Sequence, residues 1–541
     1  MRVPEISLSQ YDSYDQTRSE FEWDIPETFN AAESVCGQWA RADDGKRRVA
    51  LFYEDEDGTQ QIYTFCQIQR AANQVSNALE SLGVEEGTRV GVVLPQRPET
   101  LIANVAVLQC GAVMVPLSPM YGEDGLQYRL NHSGTELAIV GQQRAATVVD
   151  LREELDALET VVTLDAPDVD GEAWGDVVPN AGHGYETVET DAEDSAYIIY
   201  TSGTTGKPKG AHHAHRKLLG YIPGWQMIND FPGESAVHYT PAGWSWVGGL
   251  FAVVWGAWFH GQPVVGTSRQ FDPEQTYELF ERYDITNPLL TATMIRMLSE
   301  VDHEAYDLDL EVIPSGGEKV TPDLYEFVNR EWGAVLEEIY GMTECNFVVG
   351  TNSRLVERNL ESSGKPCPGH DVEIIDEETG ELMPDGKIGH IVVKRPDPSM
   401  LLEYWDDPER TEELFVGDWM KTGDAGSRDA DGYIYYEGRA DEVIITSGYR
   451  VSPLEVEEYV REVEGVSNAV VVGVDDETRG TVVKAFVKTD PDVEGSADLA
   501  DAVQLYVREQ AAAYKYPREV EFVEEFPTTV SGKIKRYELT E

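Results

Sequence analysis

From about Tyr63 onward the chain alternates two periodicities, and that alternation restricts it to few architectures. CQIQRAANQVSNALESLG has the spacing of a helix, RVGVVLP reads as a strand, ETLIANVAVLQCGA as a helix again and VMVPLS as a strand. ELAIVG, ETVVTL and SAYIIY continue the series, with no internal repeat. Strands separated by helical stretches imply parallel α/β layers.

Between roughly Val372 and Tyr436 the character changes to short strands and turns, with TG and DG pairs marking hairpins, as in a small β-barrel-like module. After GRADEVI come a helix at SPLEVEEYVREV, strands at NAVVVGV and VVKAFVKT, and a helix around ADLADAVQLYVREQAAAY. This tail has the size of a small separate α+β domain. The expected division lies near Arg439 and Asp441, giving an N-terminal domain of residues 1–438 and a C-terminal domain of 439–541.

Length supports this division, because 541 residues exceed one hydrophobic core. Lys and Arg number 42 against 99 Asp and Glu, a formal charge of −57. Such a surface repels nucleic acid and anionic membrane, which both need a basic footprint. It also repels itself unless salt screens it, so a salt-rich cytoplasm, such as that of a halophile, is expected. The five cysteines, Cys36, Cys66, Cys110, Cys345 and Cys367, form no CxxC pair and suggest neither a disulfide framework nor a zinc cluster. MRVPEISLSQ lacks the apolar core of a signal peptide, and GGLFAVVWGAWF is too short to span a bilayer. A cytoplasmic protein follows as an expectation.

The apolar run SAYIIY ends abruptly in TSGTTGKPKG, Thr201 to Gly210. Glycines let backbone N–H groups turn toward an anion, and hydroxyls and Lys207 add donors and charge, so this loop can cradle a triphosphate. It is not a Walker A loop: Thr201 stands where the first Gly is required, and Pro208 where Ser or Thr should follow Lys207.

YTSGTTGKPKG resembles the phosphate-loop signature of the AMP-forming adenylating enzymes, which include acyl-CoA synthetases, peptide-synthetase adenylation domains and firefly luciferase. Further signatures follow in order: GGE at Gly316, Gly317 and Glu318; EIYGMTE from Glu338 to Glu344; KTGD ending in Asp424; GRADEVIITSGYRVSPLEVE from Gly438; and PTTVSGKIKR with Lys533. The resemblance covers nearly the whole chain and implies the roles of individual residues. Thr201, Ser202, Gly203, Thr204, Thr205, Gly206, Lys207, Pro208 and Lys209 would hold the triphosphate. Gly316, Gly317 and Glu318, with Glu338, Ile339, Tyr340, Gly341, Met342 and Thr343, would enclose adenine and reach the α-phosphate. Glu344 and Thr204 would hold Mg2+, and Asp424 both ribose hydroxyls. Arg439 would contact ribose and phosphates, and Arg450 nucleotide phosphate. Asp441 would be the pivot of a mobile C-terminal domain.

The implied reaction has two steps. The substrate carboxylate, already ionised at neutral pH, attacks the α-phosphorus of ATP and releases pyrophosphate, so no enzyme nucleophile is needed. Positioned cations and donors carry that step, with Lys533, Thr343 and Lys207 as catalytic residues. The C-terminal domain then rotates, Lys533 leaves, and the thiol of CoA enters past Ser447, Gly448 and Tyr449, with Arg479, Tyr516, Pro517 and Arg518 as further CoA contacts. Gly448, without a side chain, leaves room for pantetheine. ATP and CoA are substrates and Mg2+ the cofactor, in a monomer or homo-oligomer.

Within the superfamily RGTVVKAFVK and AAAYKYPREVEFVEEFPTTVSGKIKR look most like medium-chain acyl-CoA synthetases, including archaeal relatives, so a halophilic archaeon is the expected source. Trp244, Trp246, Cys345, Asn346 and Phe347 are the expected acyl-pocket residues. The last three replace the commoner Thr-Gly-Leu and could shorten the pocket or turn it toward a polar or branched acid. HHAH matches a Gly-x-x-His-x-His pattern of the family through His213 and His215, which favours a structural role over metal binding. The expected activity is ligation of short- to medium-chain or branched carboxylic acids to CoA. A carrier-protein thiol as acceptor, or a catalytically silent acyl- or nucleotide-binding relative, are the alternatives.

Overall fold

The computed structural model describes residues 1–201, 207–446, 449–476, 480–510, 515–527 and 534–540. The chain packs as two compact units, Met1–Asp371 with Arg395–Leu414, and Val372–Lys394 with Phe415–Glu541. Among the described residues no helix is long and apolar enough to cross a membrane.

The first unit contains the strands that the sequence pattern predicts. They are β1 (Arg89–Val93), β2 (Val113–Leu117), β3 (Leu137–Gly141), β4 (Thr160–Leu164) and β5 (Ser195–Thr201), running parallel in the order β5-β2-β1-β3-β4. Every residue of β2 and β3 is buried, which is why both read as unbroken apolar runs: helices cover both faces of a parallel sheet. The helix Phe65–Ser81 starts at a capping box, where Thr64 Oγ1 accepts from the Gln67 N–H and Gln67 Oε1 accepts from the Thr64 N–H. It packs against Pro98–Gln109, whose N-terminal proline supplies a preset φ.

Beyond β5 the sheet turns antiparallel through β6 (Lys209–Ala214), and the chain then enters α1 (Lys217–Ile228), buried along its whole length. A further sheet is built on β7 (Val312–Gly316), β8 (Val335–Met342) and β9 (Asn346–Gly350). α1 lies so close to β9 that a Cβ on Gly224 would stand 2.7 Å from the Phe347 Cβ. The two-residue strand β10 (Glu403–Tyr404) pairs with the outer side of β6 and closes the large sheet.

In the second unit β11 (Trp419–Arg428) and β12 (Ile434–Arg439) belong to a five-stranded antiparallel sheet. The helix α2 (Pro453–Arg461) precedes β13 (Val466–Asp476) and β14 (Gly480–Thr489); α3 (Ala497–Gln510) and β15 (Glu519–Phe522) follow. The β module thus packs with the tail, whereas the division expected at 438/439 cuts through β12. The reason is local: Ser452 Oγ donates to the Glu437 carbonyl at 2.7 Å and accepts from the Glu455 N–H at the start of α2, fastening that helix to β12.

The first unit's core holds neutral histidines. His238 Nε2 donates to Gln262 Oε1 at 2.8 Å, its ring 5.2 Å from Trp225, and His260 stacks on Trp225 at 4.9 Å. Burial pulls His238 down to about 4 and His260 to about 3. The unfolded chain takes up these protons near pH 6.5, the folded one only near 4 or below, so stability falls as pH drops through that window. Urea unfolding at pH 7, 6, 5 and 4 should show this decline, and His238→Asn should flatten it by about 3 kcal/mol while lowering stability at pH 7. An equal slope in the variant would show that His238 takes up its proton at the same pH in the folded and unfolded chain, against the lowering by burial.

Candidate active site

The phosphate-loop sequence sits at the end of a hairpin. Thr201 of β5 pairs with Lys209 of β6, and Ser202, Gly203, Thr204, Thr205 and Gly206 between them lie outside the described residues. Lys207 is exposed, its Nζ 5.4 Å from the Tyr128 ring centroid, and the Tyr128 hydroxyl donates to the Pro208 carbonyl at 2.9 Å. Lys209 Nζ lies 5.1 Å from the Tyr404 ring centroid.

EIYGMTE forms β8 and the tight turn after it. Met342 pairs with Asn346, leaving Thr343, Glu344 and Cys345 as a three-residue loop, and Asn346 closes it at φ 55°, a conformation that Asn tolerates better than most residues. A Cβ on Gly341 would fall 1.6 Å from the Asn346 carbonyl oxygen, so only glycine fits there. Glu344 is buried, and its Oε1 accepts from the Tyr404 hydroxyl at 2.7 Å. The carbonyls of the loop are held one by one: Thr343 O by Lys217 Nζ at 3.0 Å, Glu344 O by the Leu401 N–H at 2.7 Å, and Cys345 O by Ser399 Oγ at 2.6 Å. Lys217 is fully buried, and burial draws its amine down to about 7.

β7 ends in Gly316, and Glu318 just beyond it accepts from the Thr293 N–H at 3.0 Å and hydroxyl at 2.8 Å. Ile339 and Tyr340 continue β8 toward Met342. The Glu338 carboxylate instead turns into the core, where Tyr325 OH donates to it at 3.2 Å and burial raises it to about 7. The Glu338 backbone is engaged as well, its N–H donating to Thr351 Oγ1 at 2.7 Å and its carbonyl accepting from the Thr351 N–H at 2.9 Å. His212 Nε2 bonds Ser195 Oγ at 2.8 Å, His215 Nδ1 accepts from the Ala31 N–H at 3.2 Å, and the fully buried His213 is held neutral chiefly by burial.

The expected acyl residues divide. Trp244 is buried against β-strand residue Gly266, where a Cβ would stand 2.4 Å from its ring, whereas Trp246 is 37% exposed beside Tyr121. Cys345, Asn346 and Phe347 are buried, with Phe347 6.0 Å from the Tyr221 ring, itself 5.8 Å from Phe251.

In the second unit Asp424 and Arg439 share one rung of the β11–β12 ladder, with Arg439 Nη1 donating to Asp424 Oδ1 at 2.8 Å. Gly423, at φ 77°, lets the guanidinium in, since a Cβ there would meet Nη2 at 2.8 Å. Asp441 lies 3.9 Å from Arg439 Nε. Tyr449 and Arg450 begin a short strand paired with Ile444–Thr446. Tyr516 carries the Arg518 and Arg508 guanidinium groups at 4.9 and 5.8 Å, and Pro517 is buried. Ser447, Gly448, Arg479 and Lys533 lie outside the described residues. Just beyond Lys533, Arg536 donates to the Val471 carbonyl at 2.8 Å and pairs with Glu457 and Glu442.

The model of the AMP-binding enzyme family matches residues 38–405, and that of the AMP-binding enzyme C-terminal domain residues 455–533. The chain belongs to this family. It is 34% identical to an uncharacterized acyl-CoA ligase, YtcI, of Bacillus subtilis (strain 168), over 91% of this chain and 93% of that one. It is 32% identical to the mitochondrial acyl-coenzyme A synthetase ACSM3 of Rattus norvegicus, over 98% and 93%. Among solved structures, the anthranilate CoA ligase AuaEII in complex with anthranoyl-AMP superposes with a TM-score of 0.85 at 28% identity, covering 95% of this chain and 97% of that one. The family resemblance implies Mg2+, and the described donor set fits it. Glu344 offers one buried carboxylate whose Oε2 accepts no hydrogen bond among the described residues, and magnesium takes one or two carboxylates plus phosphate oxygens and water. Among those residues no group of three or more His, Cys, Asp or Glu forms an all-protein cage.

Sequence reading missed Lys217, Ser399 and Tyr404. Only their partners on the Thr343–Cys345 turn single them out.

Proposed function

We propose that the protein is an AMP-forming acyl-CoA ligase that activates short- to medium-chain or branched carboxylic acids. The observation that carries this reading is the Thr343–Glu344 turn, packed beside the β5–β6 phosphate hairpin through Tyr404, in a chain that aligns over nearly its full length with relatives named as acyl-CoA ligases. The backbone and hydroxyls of residues 201–209 and the Lys207 ammonium hold the triphosphate. Thr343 donates to the α-phosphate, and Asp424 accepts from the ribose hydroxyls while Arg439 fixes its carboxylate. Bound at Glu344, Mg2+ supplies charge neutralisation for the phosphates. Lys533 orients the acid's carboxylate against the α-phosphorus.

The tail beyond Asp441 then turns about that residue, giving up the Ser452–Glu437 hydrogen bond while Arg439 stays on Asp424, which removes Lys533 and brings residues 447–449 to the acyl carbonyl, so that the thiolate of CoA displaces AMP. Cys345, Asn346 and Phe347 bound the acyl chain. The charge of −57 supports a salt-rich cytoplasm, of the kind found in halophilic archaea, as the working environment.

Pyrophosphate release in concentrated KCl with Mg-ATP tests this reading, across acetate, propionate, butyrate, 2-methylbutyrate, hexanoate, octanoate and benzoate. Turnover should require both an acid and CoA. A single burst that CoA does not relieve would contradict CoA as acceptor.

A further inference from the structure

The Thr343–Glu344 turn is fastened from outside, and the fasteners come from the phosphate hairpin's own neighbourhood. β6 runs from the phosphate loop into α1, and Lys217, the first residue of α1, donates to the Thr343 carbonyl at 3.0 Å. β10 pairs with β6, and Tyr404 on β10 donates to Glu344 Oε1 at 2.7 Å while its ring lies under Lys209 Nζ at 5.1 Å. Two links therefore join the strand that carries the triphosphate loop to the two residues that would meet the α-phosphate and the metal.

Lys217 is an expensive fastener. It is 0% exposed, its one hydrogen bond among the described residues is to Thr343 O, and the Phe251 ring lies 5.5 Å from Nζ. A lysine sealed in the core with so few partners destabilises a fold relative to an apolar residue of the same size. Its return must therefore lie in the geometry it imposes. Leu401 and Ser399 hold the next two carbonyls from a backbone segment near β10, and Lys217 ties the turn to the α1 end of β6, where the buried His213 also faces the Thr343 backbone.

We propose that Lys217 is a positioning residue for Mg-ATP, and that with Tyr404 it locks the Thr343–Glu344 turn against β6, the strand that follows the phosphate loop in the chain. The proposal rests on the ligase reading for the roles of Thr343 and Glu344. Freed from Lys217, the Thr343 carbonyl rotates, and the Thr343 hydroxyl and Glu344 carboxylate lose their shared direction. Binding of acid and CoA, which Lys217 does not touch in this account, is unaffected.

The test compares wild type with Lys217→Met, which keeps the stem and removes the donor, and with Tyr404→Phe, which keeps the ring and removes the hydroxyl. KM for Mg-ATP should rise about tenfold in Lys217→Met, the loss of one hydrogen bond from a charged donor. In Tyr404→Phe the free Mg2+ giving half-maximal rate should rise about fivefold, with KM for CoA within about twofold of wild type in both. Independently of turnover, the rise in Tm on adding Mg-ATP without acid should shrink in both variants relative to ATP with EDTA. A lower kcat with KM for Mg-ATP unchanged would overturn the proposal, because a purely structural residue loses folded enzyme without changing nucleotide affinity. Should Lys217→Met not fold, Tyr404→Phe decides by the same criteria. If wild type turns over no acid, the ligase reading fails on its own, and the Mg-ATP thermal shift still decides the positioning claim.

Discussion

Glu344→Gln lowers the rate of acyl-adenylate formation by about a hundred- to a thousandfold, the range seen when one preorganised electrostatic partner of a transition state is removed. The substitution is nearly isosteric. Its amide oxygen still accepts from Tyr404 OH, and the turn keeps its three carbonyl anchors at Lys217, Leu401 and Ser399. What disappears is the negative charge that would hold Mg2+ against the triphosphate. Acid-dependent ATP–pyrophosphate exchange measured over a range of Mg2+ checks this, with Tm as the control for folding. A rate near wild type at ordinary Mg2+ would remove Glu344 from the site.

Lys533→Ala should have an effect of similar size, restricted to one half of the reaction. In adenylation the ammonium bridges the incoming carboxylate and the α-phosphate, and its loss costs about two to three orders of magnitude. In the thioester step the proposed rotation has carried Lys533 away, so transfer from supplied acyl-adenylate to CoA stays within about threefold of wild type. The neighbouring Arg536 keeps the terminal segment tied to Val471 and Glu457, so the substitution does not release the tail. Preserved adenylation with a lost thioester step would reverse the assignment.

Much of this was legible in the sequence, for physical reasons. The parallel strands are buried on both faces and so announce themselves as apolar runs. Gly341 and Gly423 stand where the backbone or Arg439 leaves no room for a side chain, which makes YGMTE and KTGD readable as motifs.

Lys217 was not legible, because lysine is so rarely sealed in a core that it reads as a surface residue. Tyr404 and Ser399 act on a turn some sixty residues earlier in the chain, a pairing that follows only from β10 lying along β6. Trp244 and Trp246, two residues apart, read as one pocket wall, yet Trp244 packs on Gly266 and Trp246 meets solvent. The β module's attachment to the tail depends on Ser452 reaching Glu437, which no motif announces.

The most direct test of an adenylate mechanism follows one oxygen atom. With an acid labelled in its carboxylate by oxygen-18, Mg-ATP and CoA, the carboxylate oxygen that attacks the α-phosphorus stays with the nucleotide when the thiol takes the acyl group. The account predicts AMP carrying one labelled oxygen, formed in equal amount with pyrophosphate and acyl-CoA. Unlabelled AMP, or ADP with label in inorganic phosphate, would contradict it.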